Sequence, residues 1–357
     1  MLSPFLTDCE SQTMTKLPKI TCLDDVRTIL GDLPGPDEQA AKAAQEREPQ
    51  LTKPQGSLGR LEDLAAWTAT WQGRYPARMK TPNAHVFAGN HGVVAQGVSA
   101  FPPDVTKQMV KNFEHGGAAI NQMCNVFGVG LCVESLDLDH PTVDFSIAPA
   151  MGDEECAEAI AFGMDVIDSA SDMACLGEMG IGNTTAASAI CLALYGGHSM
   201  TWAGPGTGIN TEQMAHKADV IARAVSLHKP IMKDGLDVMR CLGGREMAAI
   251  LGAVIGARLK QVPVMLDGFV STASAAPLAA LNKHNLDHCQ VGHVSLEPGH
   301  ILLLEKLGKV ALLDQQMRLG EATGAVLAMG LVKAAVACHN NMATFAEAGV
   351  SDKGDDA

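Results

Sequence analysis

Short apolar runs alternate with longer helical stretches through the middle of the chain. The apolar runs, which predict β-strands, lie at 84–88, 128–134, 173–176, 200–203, 262–266 and 290–294. Helical patterning occurs between them at 104–124, 153–171, 184–194, 211–227, 244–260 and 272–281. Such alternation is typical of βαβ units, in which successive strands are parallel. Residues 81–300 therefore predict a large Rossmann-like α/β domain with a mostly parallel sheet flanked by helices.

The N-terminal part of the chain carries helical patterning alone. Residues 23–30 and 59–71 predict helices, and a Pro-Gly-Pro-Asp break at 34–37 starts another helix between them. No strand pattern interrupts this part, so 23–80 is expected to form half of a small helical domain. Residues 1–22 are expected to be a disordered tail.

The C-terminal part is also helical by pattern. Helices are predicted at 302–307 and 318–339, after the last predicted strand. We expect 301–346 to complete the small helical domain by packing against the N-terminal helices. Residues 347–357 are expected to form a second tail.

Composition limits the function classes. The 357 residues are 47% apolar and 18% charged, enough for a large core, and the net charge of −14 argues against a nucleic-acid surface. An anionic substrate must therefore be held by local donors. No apolar run reaches the roughly 18 residues of a membrane span. The first 21 residues lack the apolar segment of a secretory signal.

The ten cysteines are scattered singly, several within apolar stretches, and form no C-x-x-C pair. This pattern favours reduced thiols in a cytoplasmic protein. His284 and His288 have i,i+4 spacing without a third ligand signal, which indicates surface histidines rather than a metal pair. No metal and no cofactor are expected.

A glycine-rich turn lies at 177–185, with the sequence GEMGIGNTT, between a predicted strand and a predicted helix. Backbone N–H groups at such a helix start can bind a phosphate or a ribose, which makes Gly180, Asn183 and Thr184 candidate contacts. Glu178 beside an anion would suit only a ribose hydroxyl or a water. The alternative is a tight turn in which Asn183 or Thr184 caps the helix.

A second glycine-rich loop lies at 203–210, with the sequence AGPGTGIN, after a predicted strand. Gly204 and Gly206 would let backbone amides approach a phosphate, and Lys217, about two turns into the next helix, would supply positive charge. The alternative is that Lys217 is a solvated surface residue, as most lone helix lysines are.

Polar residues also follow other predicted strands, at the edge where open parallel sheets bind ligands. Asn90 and His91 follow the first strand, and Asp267 and Ser295 follow the last two. His91 could instead be satisfied by backbone groups, and Asp267 could simply cap the following helix.

One lone carboxylate stands among small residues in the segment 316–325, QMRLGEATGA, which opens a long apolar helical run. Such a carboxylate, here Glu321, can be a proton acceptor that faces a ligand. The alternative is that Glu321 is an exposed glutamate at a helix start, where the helix macrodipole favours a negative charge.

The segments 316–325 and 177–185, together with 53–62, KPQGSLGRLE, resemble the nicotinate-nucleotide:dimethylbenzimidazole phosphoribosyltransferases of cobalamin lower-ligand synthesis. The resemblance runs from about residue 23 to about residue 346. It implies transfer of the 5-phosphoribosyl group from nicotinate mononucleotide to 5,6-dimethylbenzimidazole or a related base. Inversion at the anomeric carbon would give α-ribazole 5′-phosphate and nicotinate. The resemblance also implies a homodimer.

The resemblance assigns roles residue by residue. It makes Glu321 the catalytic base, Lys217 and Ser295 phosphate contacts, and Asp267 a residue that orders the site. The further substrate-binding residues that it implies are Glu178, Gly180, Asn183, Thr184, Gly204, Gly206, Arg318 and Gly320. The slot for the benzimidazole would involve Asn90, His91, Gln108 and Met109.

Three other classes of protein are alternatives to this family of phosphoribosyltransferases. A nucleotide-binding dehydrogenase needs a G-x-G-x-x-G turn on its first βα unit, whereas 89–92 reads Gly-Asn-His-Gly. A diphosphate-using phosphoribosyltransferase needs an acidic pair after an apolar strand, but the pairs at 24–25 and 355–356 lie at a helix start and in a tail. The remaining alternative is a catalytically silent azole- or nucleotide-binding protein, which loss of Glu321 would have suggested.

Overall fold

Five parallel strands form one sheet in the computed structural model, which describes residues 19–206 and 208–351. The strands are β1 (Asn83–Ala88), β2 (Gly130–Ser135), β3 (Ala174–Met179), β4 (Val264–Leu266) and β5 (Cys289–Val291). Their order across the sheet is β2-β1-β3-β4-β5, and every neighbouring pair is parallel. The predicted α/β class with a mostly parallel sheet is confirmed.

Helices connect the strands and cover both faces of the sheet. Within the described residues they are α1 (Leu23–Leu30), α2 (Glu38–Arg47), α3 (Arg60–Gln72), α4 (Asp104–Glu114), α5 (Ala119–Phe127), α6 (Asp153–Asp165), α7 (Asn183–Tyr195), α8 (Ser199–Trp202), α9 (Thr211–His228), α10 (Gly235–Leu242), α11 (Arg245–Leu259), α12 (Phe269–Leu281), α13 (Gly299–Leu307), α14 (Thr323–Asn341) and α15 (Phe345–Ala348). Shorter 3₁₀ turns lie at Glu48–Gln50, Gly92–Gln96 and Lys283–Leu286. No helix in the described part of the chain is both long and apolar enough to cross a membrane.

The two faces of the sheet build two apolar clusters, because successive strand residues point in opposite directions. Phe87 and Leu176 lie in a cluster with α6, α7 and α11. Val86 and Cys175 lie in the other, with α3, α5 and α14. Helix α3 packs against α14 and α2 packs against α3, so segments from both ends of the chain meet there, whereas α1 packs against α6. The domain boundaries stay a prediction.

The prediction of a strand at 200–203 is wrong. Ser199–Trp202 form the short helix α8, which Ala203 ends, and Met200 N donates to the His198 Nδ1 at 3.2 Å. Trp202 is buried and its Nε1 donates to the Gly196 carbonyl at 2.8 Å. The segment Met-Thr-Trp-Ala, with three apolar residues, is too short for its pattern to distinguish a strand from a buried helix, which explains the error.

Other differences concern where helices begin and end. The predicted helix 104–124 is two helices, because Gly116 adopts a left-handed φ of 75° between α4 and α5. The predicted helix from residue 318 begins only at Thr323. Helix α10 was not predicted. Of the expected tails at 1–22 and 347–357, residues 1–18 and 352–357 lie outside the described residues.

Candidate active site

A cavity of about 470 Å³ opens at the carboxyl ends of β3, β4 and β5. This is the edge at which open parallel sheets bind ligands. Its walls come from the segments that follow these strands, from Gly206 in the second glycine-rich loop and from the segment before α14. The lining residues are Phe101, Glu178, Met179, Gly180, Ile181, Asn183, Thr184, Gly206, Gly268, Phe269, Val270, His293, Ser295, Glu297, Arg318, Leu319 and Gly320.

A left-handed turn precedes α14 and carries the predicted base. Gly320, Glu321 and Ala322 have φ values of 86°, 62° and 62°. Left-handed backbone is unfavourable for residues other than glycine and persists only where the surroundings fix it. The fixing contacts include a bond from Glu321 N to the Glu178 carbonyl at 3.1 Å and one from Thr323 Oγ1 to the Gly320 carbonyl at 2.7 Å. The backbone of Glu321 is therefore hydrogen-bonded to β3, and Glu321 does not lie at an exposed helix start.

Glu321 is buried, with only 5% of its surface exposed. Burial raises its pKa to about 7, and the nearby charge of Asp267 adds to the shift. A carboxylate with a pKa near 7 is well matched to proton transfer at neutral pH. Gly320 lines the cavity and Glu321 follows it in the chain, although Glu321 itself is not one of the lining residues.

Glu178 faces the same turn. Burial raises its pKa to about 8, with the charge of Asp267 as the next contribution. Its Oε2 accepts a hydrogen bond from Asn183 Nδ2, and a Cβ atom on Gly320 would lie 2.5 Å from its Oε1. A raised pKa favours the neutral form of Glu178, which lessens the electrostatic conflict with a nearby anion that the sequence suggested.

Asp267 ties the sheet to α14. It is fully buried at the end of β4, and its Oδ1 accepts from Ala325 N at 2.9 Å. Its Oδ1 also lies 3.6 Å from His293 Nε2, and burial raises the pKa of Asp267 above its ordinary value. The suggestion that Asp267 caps the following helix is wrong, because Gly268 precedes α12 without a side-chain cap. Asp267 instead anchors the first turn of α14.

Lys217 is buried rather than solvated. It is 1% exposed, and its Nζ donates to Thr184 Oγ1 at 2.9 Å and to the Gly204 carbonyl at 3.0 Å. Burial lowers its pKa to about 8, while the charge of Glu297 acts in the opposite direction. Lys217 therefore joins the two glycine-rich segments, although the second loop follows α8 and not a strand.

The backbone of Gly206 makes hydrogen bonds with two charged side chains. Its N–H donates to Glu297 Oε1 at 2.9 Å, and its carbonyl accepts from Arg318 Nη1 at 3.0 Å. Ser295 Oγ accepts from Glu297 N at 3.3 Å. The sequence predicted Arg318 and Ser295 as site residues but missed Glu297 and His293, which follow β5 in the same short polar segment, 292–300.

The glycines of the two loops permit close approaches that a side chain would block. A Cβ on Gly180 would lie 2.9 Å from the Gly89 carbonyl, and a Cβ on Gly204 would lie 2.8 Å from Pro298 Cδ. Gly182, with φ of 96°, is the N-cap of α7 and no side chain caps that helix. The alternative in which Asn183 or Thr184 serves as the cap is therefore wrong.

The residues proposed for the benzimidazole slot do not line this cavity. Asn90 is buried and its Nδ2 donates to the Leu138 carbonyl at 2.9 Å. His91 Nε2 lies 2.5 Å from Glu246 Oε1, so the partner of this buried histidine is a carboxylate and not the backbone. On α4, Gln108 is exposed and Met109 is half-buried.

His288 is buried, contrary to its expected place on the surface. Its Nε2 lies 2.9 Å from the Val254 carbonyl. His284 is exposed and pairs with Asp287 at 3.0 Å. The two histidines have different environments, so their i,i+4 spacing in sequence does not form a site.

A parallel-sheet fold with two glycine-rich segments, a buried lysine and a near-neutral carboxylate around one cavity is suited to handling a small phosphorylated ligand. Residues 33–350 match the profile of a family described as "Phosphoribosyltransferase". Nicotinate-nucleotide–dimethylbenzimidazole phosphoribosyltransferase from Rhizobium johnstonii is 56% identical over 330 residues, which are 92% of this chain and 97% of that protein. The chain belongs to the nicotinate-nucleotide–dimethylbenzimidazole phosphoribosyltransferase family.

Further comparisons agree with this membership. The protein of the same name from Rhizobium rhizogenes is 54% identical over 341 residues, 96% of this chain and 99% of that protein. A crystal structure of CobT from Thermus thermophilus superposes with a TM-score of 0.82 at 40% identity, covering 88% of this chain and 99% of that chain. The fold described above is therefore that of solved members.

Proposed function

We propose that this chain transfers the 5-phosphoribosyl group from nicotinate mononucleotide to 5,6-dimethylbenzimidazole, giving α-ribazole 5′-phosphate and nicotinate for the cobalamin nucleotide loop. The family membership supports the reaction. The structural observation that carries it is the buried Glu321, whose pKa of about 7 suits a general base beside the cavity.

The reaction exchanges one C–N bond for another at the anomeric carbon. The donor ring is a pyridinium, so nicotinate leaves with the electron pair of the glycosidic bond and needs no further activation. The unprotonated ring nitrogen of the benzimidazole forms the new bond from the opposite face, which inverts a β-linked donor into an α-linked product. The proton on the other ring nitrogen passes to Glu321.

The phosphate end of the donor is assigned to the loop side of the cavity. Lys217 uses two N–H donors for Thr184 and Gly204, and an ammonium group has three. A third bond to a phosphate oxygen would be charge-assisted and therefore strong. Ser295, Thr184 and the backbone around Gly206 are the proposed neutral partners.

The rings of donor and acceptor are assigned to the apolar part of the wall. Phe101, Met179, Ile181 and Phe269 line it, and apolar walls with a few polar groups are usual in sites for flat heterocycles. A contact between the base and Asn90, His91, Gln108 or Met109 stays a prediction.

Product identification tests the proposed function. Purified protein mixed with nicotinate mononucleotide and a panel of bases should yield one ribosyl phosphate adduct whose mass equals that of the base plus the phosphoribosyl group, minus a proton. No adduct with any azole base, together with measurable binding of both substrates, would support the catalytically silent alternative.

Replacing Lys217 with alanine should weaken donor binding selectively. Loss of a charge-assisted hydrogen bond costs about 1.5–3 kcal/mol, so the KM for nicotinate mononucleotide should rise about ten- to a hundredfold. The KM for the base should change less. Lys42→Ala, which removes a lysine whose side chain is 76% exposed, serves as the control. A larger effect on the base would move the phosphate site elsewhere.

The rate should depend on pH through Glu321. Because burial raises its pKa to about 7, the base is protonated and inactive below that pH, and kcat/KM should fall by about tenfold per pH unit on the acid side. The ratio of the wild-type rate to that of Glu321→Gln cancels the titration of the substrates. A ratio that stays constant between pH 5 and 8 would contradict the assignment.

We also propose a homodimer. Leu296, Ile301 and Leu319 are 52%, 58% and 57% exposed, and Leu319 lines the cavity, so apolar surface adjoins the site and would be covered by a second copy. Sedimentation at micromolar concentration should give the mass of two chains. An active monomer would contradict this proposal.

A cytoplasmic location is proposed for the same chain. Among the residues that the structure describes, six cysteines are buried as free thiols, namely Cys124, Cys156, Cys175, Cys191, Cys241 and Cys289. Unpaired buried thiols are usual in proteins that remain in a reducing compartment.

A further inference from the structure

Three potential metal ligands lie together on β1 and β2, away from the cavity described above. His85 on β1 is directly opposite Cys132 on β2, and Glu134 lies two residues further along β2. Side chains two residues apart on a strand point to the same face, and residues in register on neighbouring strands are adjacent. The sheet therefore places an imidazole, a thiol and a carboxylate side by side.

The ligand atoms of this group are close enough to share one ion. One nitrogen of His85, the sulfur of Cys132 and one carboxylate oxygen of Glu134 all lie within 4.8 Å of one another. His85 Nδ1 is 3.4 Å from Glu134 Oε1. In a tetrahedral zinc site the ligands lie about 2.0–2.3 Å from the metal, so ligand atoms at these mutual separations are near enough to serve one ion.

The burial of the group suits a site that an ion can enter. The His85 side chain is 2% exposed and the Glu134 side chain is 20% exposed, while Cys132 is half-buried. The inner end is thus shielded and the carboxylate end is open to water. The His85 ring also stacks beside Phe87, at 6.1 Å between centroids and an interplanar angle of 21°, which restricts its orientation.

We propose that His85, Cys132 and Glu134 form a Zn²⁺ site that joins the edge strand β2 to β1. Nitrogen, sulfur and oxygen ligands together are typical of zinc, whereas Mg²⁺ and Ca²⁺ require oxygen ligands. Binding converts the Cys132 thiol to a zinc-bound thiolate and releases its proton to solvent. Three protein ligands leave the fourth tetrahedral position to water on the exposed side.

Such a site would stabilise the edge of the sheet. An ion that binds the folded chain and not the unfolded one raises its stability as the ion concentration increases. The ion would link residues 47 positions apart in sequence, since His85 and Cys132 belong to different strands. The group lies inside the strands and not at the carboxyl edge, so the proposed transfer reaction does not use it.

Cobalt and zinc binding test this proposal on the full chain. Co²⁺ added to chelator-treated protein should produce a sulfur-to-cobalt charge-transfer absorption, and Zn²⁺ should abolish it with a stoichiometry of one per chain. Cys132→Ser should eliminate the absorption and raise the Zn²⁺ dissociation constant at least about tenfold. Cys338→Ser, which alters another half-buried cysteine, should leave both unchanged.

A second variant distinguishes the loss of a zinc ligand from a loss of folding. Glu134→Gln keeps the size of the side chain and should weaken Zn²⁺ binding while the absorption from Cys132 persists at higher Co²⁺ concentration. The proposal is overturned if Cys132→Ser binds zinc as tightly as the wild type, or if Cys338→Ser abolishes the absorption instead.

Discussion

Replacement of Glu321 by glutamine should lower kcat by about two to four orders of magnitude, because a positioned general base contributes about that much to a rate. Glutamine has nearly the same shape and cannot accept the benzimidazole proton as a base. The left-handed turn of 320–322 is held by the backbone bond from Glu321 N to the Glu178 carbonyl, which the substitution keeps. Dissociation constants of both substrates should therefore change by less than about tenfold.

The control for this experiment is a variant at an exposed glutamate. Glu305→Gln, which alters an exposed glutamate on α13, should retain the wild-type rate. If Glu321→Gln turns over at a near wild-type rate, Glu321 is not the base, and Glu178 or Asp267 becomes the residue to test. If the variant unfolds or loses both substrates, Glu321 has a structural role.

Replacement of Gly177 by alanine should impair both activity and stability. A Cβ on this β3 residue would lie 2.5 Å from Ala322 Cα and overlap Ala322 N, and neither backbone atom can move without displacing the turn that carries Glu321. Displacement of a catalytic group by about 1 Å can cost about a hundredfold in rate. Overpacking of a core typically costs about 1–3 kcal/mol of unfolding free energy.

The matched control is Gly35→Ala, since no atom lies within 4 Å of a Cβ built at that position. It should leave kcat and the unfolding midpoint near their wild-type values. The two variants are compared by chemical denaturation and by initial rates. Wild-type kcat in a folded Gly177→Ala protein would show that the position of the 320–322 turn does not matter to the reaction.

Strands and helices were predictable where the pattern of apolar residues extended over enough positions or was bounded by glycine. The strand at 84–88 and the helix at 23–30 are found almost as predicted. The short, mostly apolar segment at 200–203 was assigned to a strand because four residues do not distinguish the two structures. In the structure Trp202 is buried, bonds to Gly196 and lies in a helix. Tertiary packing supplied information that the local pattern lacked.

Site residues were predictable when they stood in a distinctive local segment. Glu321 and Glu178 each lie in a glycine-rich sequence, and the structure brings them to one turn. Glu246 was missed, because its partner His91 is 155 residues away and nothing in the local sequence marks the pair. A lone carboxylate in the first turn of the almost entirely buried helix α11 is the signal that could have pointed to it.

The burial of Lys217 could not be predicted from the local sequence either. A single lysine on a helix is ordinarily solvated, and its burial follows from the way that α9 packs behind both glycine-rich segments. His85 and Cys132 were also missed as a pair, since their proximity depends on the register of β1 and β2.

The most direct test of the proposed reaction is a single NMR time course of purified protein with nicotinate mononucleotide and 5,6-dimethylbenzimidazole. It follows the donor, free nicotinate and the anomeric proton of the product together. We expect one nicotinate released for each α-linked ribosyl phosphate formed, and almost no turnover over the same period with Glu321→Gln. A β-linked product, or nicotinate released without an equal amount of ribosyl phosphate adduct, would contradict inverting transfer by this site.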